Sequence, residues 1–381
     1  MKTLGTKPLK IGFIGGGLNS AVGYAHRTAC GLDGQWELYS GCFSLDPEEN
    51  LKSGQCYGLP DERIYQDWQL MVTEMKPTLD AVAVLTPTPT HCGIVNSCIE
   101  AGIPVICEKS MAMNTSEAKV IQENLTKLKG FLAVTYNYSG YPMVRELRSL
   151  IRSGGLGEIL HFQAEMPQEG FLRLDSEGNK PMPQEWRLKD QQIPTLHLDL
   201  GVHLHHILHY LTGQHPIEVI ADHQTFGFFD VVDNLSCLCR YSAGVHGQAW
   251  FSKSAIGHRN GLRIRIYGSQ ASAEWFQGNP EELVLCHGDG RRQIQDRSGD
   301  VSEAGEDRYN RFKAGHPAGF VEAFANLYAD TAVAVSAYQN GGDWDSDEIF
   351  GAGLATEGLA MMEAMVASLE SRCWEKVGGK T

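Results

Sequence analysis

From residue 9 to residue 135, short apolar runs alternate with amphipathic stretches of about ten residues or more. A strand followed by a helix long enough to cross back over the sheet pairs in parallel, so this alternation restricts the segment to βαβ units. Residues 79–85, LDAVAVL, are almost wholly apolar, as a strand covered by helices on both faces requires. Strands are expected at residues 9–14, 36–43, 79–85, 104–107 and 131–135, counted as the first, second, fourth, fifth and sixth of the sheet. Helices are expected at about 20–32, 91–101 and 116–129. Two helix starts carry local signals. Asp46-Pro47-Glu48-Glu49 places acidic residues in a first turn, where the helix dipole favours them. Asn114, with Glu117 three residues on, forms a candidate capping box.

The pattern changes after about residue 155. Segments 158–165, 216–229, 235–241, 245–252, 262–268, 272–275 and 282–286 read as strands joined by short polar or glycine turns. One helix, at about 201–211, interrupts them. Strands without helices between them pair mostly antiparallel. The polar stretch 288–310 is expected to be an exposed loop, and two long helices at about 317–339 and 346–371 close the chain. The expected fold is therefore an α/β domain of nucleotide-binding type over residues 1–140, then an α+β domain with an open, largely antiparallel sheet over 141–381. The C-terminal helices are free to pack back on the first domain.

Composition narrows the partners. The 381 residues hold 46 acidic against 32 basic side chains, a formal net charge of −14. A surface of that sign repels phosphate backbones and anionic lipid, which argues against nucleic acid and membrane. No apolar run approaches the ~20 residues needed to span a bilayer. The opening stretch MKTLGTKPLKIGFIGGG does not read as a secretory signal peptide, so a cytoplasmic chain is expected. The ten cysteines are scattered with no CxxC pair, so neither a disulfide framework nor a cysteine zinc site is expected.

The first strand runs into Gly15-Gly16-Gly17-Leu18-Asn19-Ser20. A glycine-rich turn between strand and helix lets backbone approach a pyrophosphate seated on the helix N-terminus, so this turn is the candidate dinucleotide site, with Ser20 at the third position of GxGxxG. The end of the second strand carries Ser44 where a carboxylate for the ribose of NAD is usual. The residues thus leave NAD and NADP open, with NAD preferred. Two further strand ends lie on the rim where open α/β sheets bind ligands: Thr86-Pro87 with His91 beyond, and Glu108-Lys109. A lysine in a closed cleft can move protons, which makes Lys109 a catalytic candidate; a solvated pair with Glu108 is the plainer reading.

The segment LHLDLGVHLHHILHYL, residues 196–211, is the most unusual in the chain. Asp199 and His203 are four apart, so on a helix they share a face, where the carboxylate can orient the imidazole as an acid/base. His197, His205, His206 and His209 crowd the same stretch, and His205 with His209 has metal-ligand spacing. HExxH is absent, and no clear carboxylate or cysteine completes a zinc set, so no metal is expected. Acid/base chemistry leads, ahead of satisfied structural histidines, with metal binding last. Asn137 and Tyr138 follow the sixth strand as packing or a polar lining. Trp186-Arg187 is a stacked surface pair or a clamp near a cofactor, and His316 either precedes a helix or points into a cleft. Serine-hydrolase and NTPase readings fail for want of GxSxG and GxxxxGK[ST].

The ordered set of glycine turn, TPxxxH strand end, EK, WR and DxGxH, with the change from α/β to an open sheet, resembles the glucose–fructose oxidoreductase/inositol dehydrogenase (Gfo/Idh/MocA) family over nearly the whole chain. His26-Arg27, Phe43–Pro47, TYNYxGYPM and GHPxG resemble a narrower subgroup. The resemblance implies a Rossmann domain and a second domain whose sheet covers the active site and often forms the oligomer interface. It implies that Lys109 binds the reacting hydroxyl and shuttles its proton, that His203 is the acid/base, and that Asp199 supports them. Gly15, Gly17, Thr86, Pro87, His91 and Glu108 match cofactor-contact positions; Leu18, Asn19, Ser20 and Ser44 belong to the same surface. Asn137, Trp186 and Arg187 would face the nicotinamide end or the substrate, with Tyr138 and His316 on the substrate side. Three departures stand out: EKS replaces EKP at Ser110, His206 stands where an acidic residue is common, and Ser44 replaces the ribose carboxylate.

The activity implied is NAD(P)-dependent oxidation of a secondary hydroxyl on a sugar, sugar derivative or cyclitol, by a homodimer or homotetramer. One alternative on the same scaffold is a glycoside hydrolase that oxidises transiently, eliminates and re-reduces. Another is a non-catalytic dinucleotide-binding regulator.

Overall fold

The computed structural model describes residues 7–379; the opening stretch MKTLGTKPLKIGFIGGG, read as no signal peptide, lies partly outside that range. The chain begins with β1 (Leu9–Gly15), α1 (Gly23–Leu32), β2 (Trp36–Cys42), α2 (Pro47–Cys56), α3 (Trp68–Met75), β3 (Ala81–Leu85), α4 (His91–Glu100), β4 (Val105–Glu108), α5 (Thr115–Leu128) and β5 (Leu132–Thr135). There follow α6 (Pro142–Arg152), β6 (Ile159–Pro167), α7 (Val202–Thr212), β7 (Pro216–Gln224), β8 (Asn234–Tyr241), β9 (His246–Ser252) and β10 (Arg263–Gly268). The last elements are β11 (Ala271–Phe276), β12 (Leu283–His287), β13 (Arg292–Gln295), α8 (Phe320–Gln339), α9 (Ala352–Ser371) and β14 (Glu375–Lys376). No helix among the described residues is long and apolar enough to cross a membrane.

The described residues up to Gly140, with Gly319–Ala355, form one compact unit; Tyr141–Ala318 with the described residues from Thr356 onward form another. The sequence division at 140 and 141 places 319–355 with the second domain. In the structure α8 supplies core to the first unit: Phe324, Ala325, Tyr328 and Val335 are buried among Ile11, Phe13 and Trp36. Side chains of that size each contribute about 1.5–3 kcal/mol on full burial. Trp36 Nε1 donates to the Tyr328 carbonyl at 2.8 Å, which fixes the register of α8 on the sheet.

The first unit holds a five-stranded parallel sheet in the order β2-β1-β3-β4-β5. The fully buried Ala81–Leu85 is its centre. The strand count corrects the sequence reading. The third strand that this count allowed for, to which no residues were assigned, is absent among the described residues: between β2 and β3 there is one parallel bridge, Gly41 with Ile64, and Asp61–Arg63 turns as a 3-10 helix after Pro60. The helix expected from residue 20 starts at Gly23, since the Ser20 hydroxyl instead accepts from the Gly23 N–H at 3.1 Å. At α5, Asn114 caps the Glu117 N–H at 2.9 Å, but Glu117 reaches back to the Met113 N–H rather than to Asn114, so the capping box closes one residue early. Helices α3 and α6 carry no signal used in the sequence reading.

The second unit is built on a nine-stranded sheet, β13-β12-β11-β10-β6-β9-β8-β7-β14. Every pairing is antiparallel except β6 with β9. One face is buried through Phe162, Ala164, Ile264, Ala249 and Phe251; the other carries Gln163, Arg265 and Trp250. Cross-strand pairs of Arg265 with Glu274 and Glu165 brace that open face. The stretch expected to be a loop, 288–310, instead contains β13 and is anchored by two buried charges. Glu146 accepts from the backbone N–H groups of Ser302, Glu303 and Ala304. Arg297 bonds Glu281 at 2.7 Å and the carbonyls of Tyr309 and His316. A polar sequence looks like a loop when its charges bind backbone in place of solvent.

Candidate active site

In the first unit the carboxyl ends of β1 and β3 meet at the point where strand order reverses, the position at which open α/β sheets bind ligands. Gly15 pairs with Leu85, and a Cβ on Gly15 would stand 2.8 Å from the Leu85 and Thr86 backbone. On Gly17 it would stand 3.0 Å from the Phe43 carbonyl, and on Gly23 only 2.1 Å from the Gly16 carbonyl. Gly23 therefore takes the close-packing role assigned to Ser20 from the motif. The sequence signal for it was the glycine three residues further on, at the true start of the helix. Leu18 is tied by its N–H to Ser53 Oγ at 3.0 Å, and Asn19 is exposed. The Ser44 hydroxyl accepts from the Asp46 N–H at 3.1 Å, so it serves the start of α2.

The strand ends are held from behind. His91 is fully buried, with Nδ1 2.7 Å from the Ser110 carbonyl and Nε2 2.7 Å from that of Thr86, so it links the loops after β4 and β3. Burial lowers its pKa, while the two carbonyls and Glu108 pull the other way. Thr86 also accepts from Thr90, and Pro87 is exposed. Glu108 is buried: its Oε1 is 3.0 Å from His26 Nε2 and accepts from Thr135 Oγ1. His26 in turn meets the Tyr328 hydroxyl at 2.8 Å through Nδ1. Burial alone would raise the Glu108 pKa, but His26, Lys109 and Thr135 outweigh it and hold the carboxyl below its ordinary value. The next residue, Lys109, is half-buried, and the peptide joining it to Ser110 is cis. His26 entered the sequence reading only as part of a subgroup motif; the structure makes it the partner of Glu108.

Asn137 and Tyr138 occupy a buried turn after β5, and Asn137 Nδ2 has no hydrogen-bond partner among the described residues. A turn with no room for side chains and a buried amide donor suit the phosphates and the carboxamide of a nicotinamide dinucleotide.

In the second unit, residues His197–Gly201 form a single π-helical turn that leads into α7. Such turns insert one extra residue and recur at functional sites. This one holds Asp199, whose carboxylate Oδ2 is paired with Arg187 and, at 2.5 Å, with Lys253. Arg187 lies over the Trp186 ring at 4.7 Å. Arg187 thus lies between the Trp186 ring and Asp199 within this unit. Lys253 was missed by the sequence reading, because a lone lysine at the end of β9 carries no local motif; its 4% exposure marks it as a buried cation. His203 is buried on the first turn of α7. His316 is exposed, four residues ahead of α8, with its carbonyl held by Arg297.

The remaining histidines divide by partner. His197 is fully buried against the Phe251 ring, edge to face at 5.6 Å, and neither ring nitrogen has a hydrogen-bond partner among the described residues. Burial, with His223 nearby, pushes its pKa down to about 3, so it is neutral filler. His206 stacks on Tyr210, and burial holds its pKa well below the ordinary range. His205 bonds Glu357 through Nε2.

Comparison with known proteins agrees with this architecture. Residues 9–136 match the model for the oxidoreductase family, NAD-binding Rossmann fold, and residues 144–274 match the Gfo/Idh/MocA C-terminal domain. Over 353 residues the chain is 32% identical to the uncharacterized oxidoreductase YfiI of Bacillus subtilis, covering 87% of this chain and 86% of that protein. It is 23% identical over 309 residues to levoglucosan dehydrogenase of Pseudarthrobacter phenanthrenivorans, 73% of this chain and 76% of that one. The crystal structure of an inositol dehydrogenase homolog from Azotobacter vinelandii, complexed with NADH and myo-inositol, matches with a TM-score of 0.86 at 27% identity, covering 97% of this chain and 98% of that chain. The chain belongs to the Gfo/Idh/MocA family of NAD-binding oxidoreductases.

Proposed function

We propose that this oxidoreductase oxidises a secondary hydroxyl of a sugar, sugar derivative or cyclitol with NAD. Oxidation removes a proton from oxygen and a hydride from the same carbon, and the nicotinamide ring, when bound, supplies C4 as hydride acceptor. Gly15, Gly17 and the turn residues through Ser20 would carry the pyrophosphate, and Asn137 would offer its amide to the nicotinamide end. Lys109 would take the hydroxyl proton, and His203 would serve as an acid/base, a role worth about 10²–10⁴-fold in rate. Asp199 supports the substrate end, its charge fixed in direction by Arg187 and Lys253.

The observation that carries this reading is the π-helical turn that holds Asp199 between two cations one turn ahead of His203. A buried carboxylate with two cationic partners is costly to build for packing alone. Similarity to a levoglucosan dehydrogenase and to an inositol dehydrogenase homolog complexed with myo-inositol supports this substrate class. The open, charged face of the nine-stranded sheet supports a homo-oligomer.

The test is a screen of cyclitols, sugars, anhydrosugars and glycosides with NAD and with NADP, following reduced cofactor and released aglycone. Accumulation of NADH with at least one polyol is the expected result. Cleavage of a glycoside without net NADH would move the assignment to hydrolysis by transient oxidation. Absence of both reactions, in protein that binds NAD, would overturn it.

A further inference from the structure

The histidine run of α7 is only partly used by the chemistry above. It also carries His205 and His209, four residues apart on one face of the helix. To that face the fold brings Glu357 of α9 and His215 of the turn that follows α7. Glu357 lies between two imidazoles, with Oε1 2.9 Å from His205 Nε2 and Oε2 2.7 Å from His215 Nδ1. The rings of His209 and His215 are 4.8 Å apart by their centroids. One ligating atom each from His209, His215 and Glu357 falls within 4.8 Å of the other two.

The surroundings resemble the outer support of a metal site. His205 is fully buried and fixes the Glu357 carboxylate, as outer-shell partners fix metal ligands. His209 Nδ1 faces the Gln214 carbonyl at 3.3 Å; an N–H donated there leaves the lone pair of Nε2 for an ion. Gly358 permits the approach of α9, since a Cβ there would stand 2.9 Å from His205 Nδ1. His215 is 55% exposed, which opens the cluster to solvent. The carboxylate that the sequence search for a zinc set did not find comes from 142 residues beyond His215.

We propose that His209, His215 and Glu357 form a binding site for a divalent first-row metal ion of the zinc type, with His205 orienting Glu357. Two imidazoles and one carboxylate suit such an ion, whereas Mg²⁺ and Ca²⁺ take oxygen donors. Three protein ligands leave one tetrahedral position for water. Bonds of about 2.1 Å hold tetrahedral ligands about 3.4 Å apart, so on binding the 2.7 Å contact between Glu357 and His215 gives way as the exposed His215 ring turns toward the ion. The bound ion ties α9 to the far end of α7, the helix whose first turn holds His203, and this requires neither cofactor nor substrate.

The experiment is equilibrium dialysis of tag-free, chelator-stripped full chain against Zn²⁺, with metal analysis, for the native protein, His215→Ala and Glu357→Gln. His215 is surface-exposed, so its loss leaves folding intact, and thermal melting checks both variants. One Zn²⁺ per chain is expected in the native protein. Each variant is expected to bind at least about 10–100-fold more weakly, the loss that even outer-shell changes cause. Binding well below one equivalent in the native protein, or equal binding in the folded variants, overturns the proposal.

Discussion

Fully buried histidines are used in two ways, and one place in each unit shows the contrast. In the first, His26 and His91 are fully buried and each uses both ring nitrogens, His26 on Tyr328 and Glu108, His91 on two carbonyls. In the second, His197 is equally buried, yet neither nitrogen has a hydrogen-bond partner among the described residues. The first pair ties strand ends together around Glu108 and Lys109; His197 packs on Phe251 as an aromatic ring would. Burial therefore says little about a histidine's work. Its partners say what removal costs, because a lost partner leaves a buried charge or dipole behind, whereas a lost filler leaves only a shape.

The comparison can be broken at four residues. The largest effect is expected at Lys109. Lys109→Met should lower turnover by about 10²–10⁴-fold while NAD affinity, read by fluorescence titration, stays nearly unchanged. Retained turnover would remove Lys109 from the chemistry. Next comes His26→Leu, which strands Glu108 in the core; a loss of about 3–5 kcal/mol in urea unfolding is expected, and a loss under about 1 kcal/mol would mean that Thr135 and Lys109 suffice. Lys253→Met removes one of the two cations from Asp199. That should cost about 1.5–3 kcal/mol and lower kcat/KM, because Arg187 alone leaves the carboxylate less fixed. A stability loss with unchanged kcat/KM would make the clamp structural only.

The smallest effect at neutral pH is expected at His197. Its folded pKa of about 3 lies below the unfolded value near 6.5, so the unfolded chain takes up a proton that the folded one refuses. Stability is therefore complete above pH 6.5 and drains away as pH falls toward 3. This one group should cost about 2 kcal/mol between about pH 7 and about pH 5. His197→Leu should melt like the native protein at neutral pH and lose less stability on acidification. Identical pH profiles would show that His197 does not carry the acid sensitivity.

Much of the fold was legible because hydrophobic period and helix spacing are local properties. LDAVAVL became the fully buried β3, and the run of strands after residue 155 became one open sheet. What failed was the element decided by tertiary context. The third strand that the count allowed for is absent among the described residues, where a single bridge at Ile64 stands between β2 and β3, and 288–310 proved to be pinned by Glu146 and Arg297. The candidate site divides along the same line. The glycine turn, Glu108-Lys109 and DxGxH announce themselves because their spacing is short. Lys253, Gly23 as the packing glycine, and Glu357 beside the histidines do not, because each meets its partner only after the chain has folded.

The most direct test of the account is a fluorescence titration of folded, ligand-stripped protein with NADH and with NADPH. The account predicts micromolar binding of NADH, weakened by Gly23→Ala, whose Cβ would collide with the Gly16 carbonyl. Binding of neither dinucleotide by folded protein would contradict it.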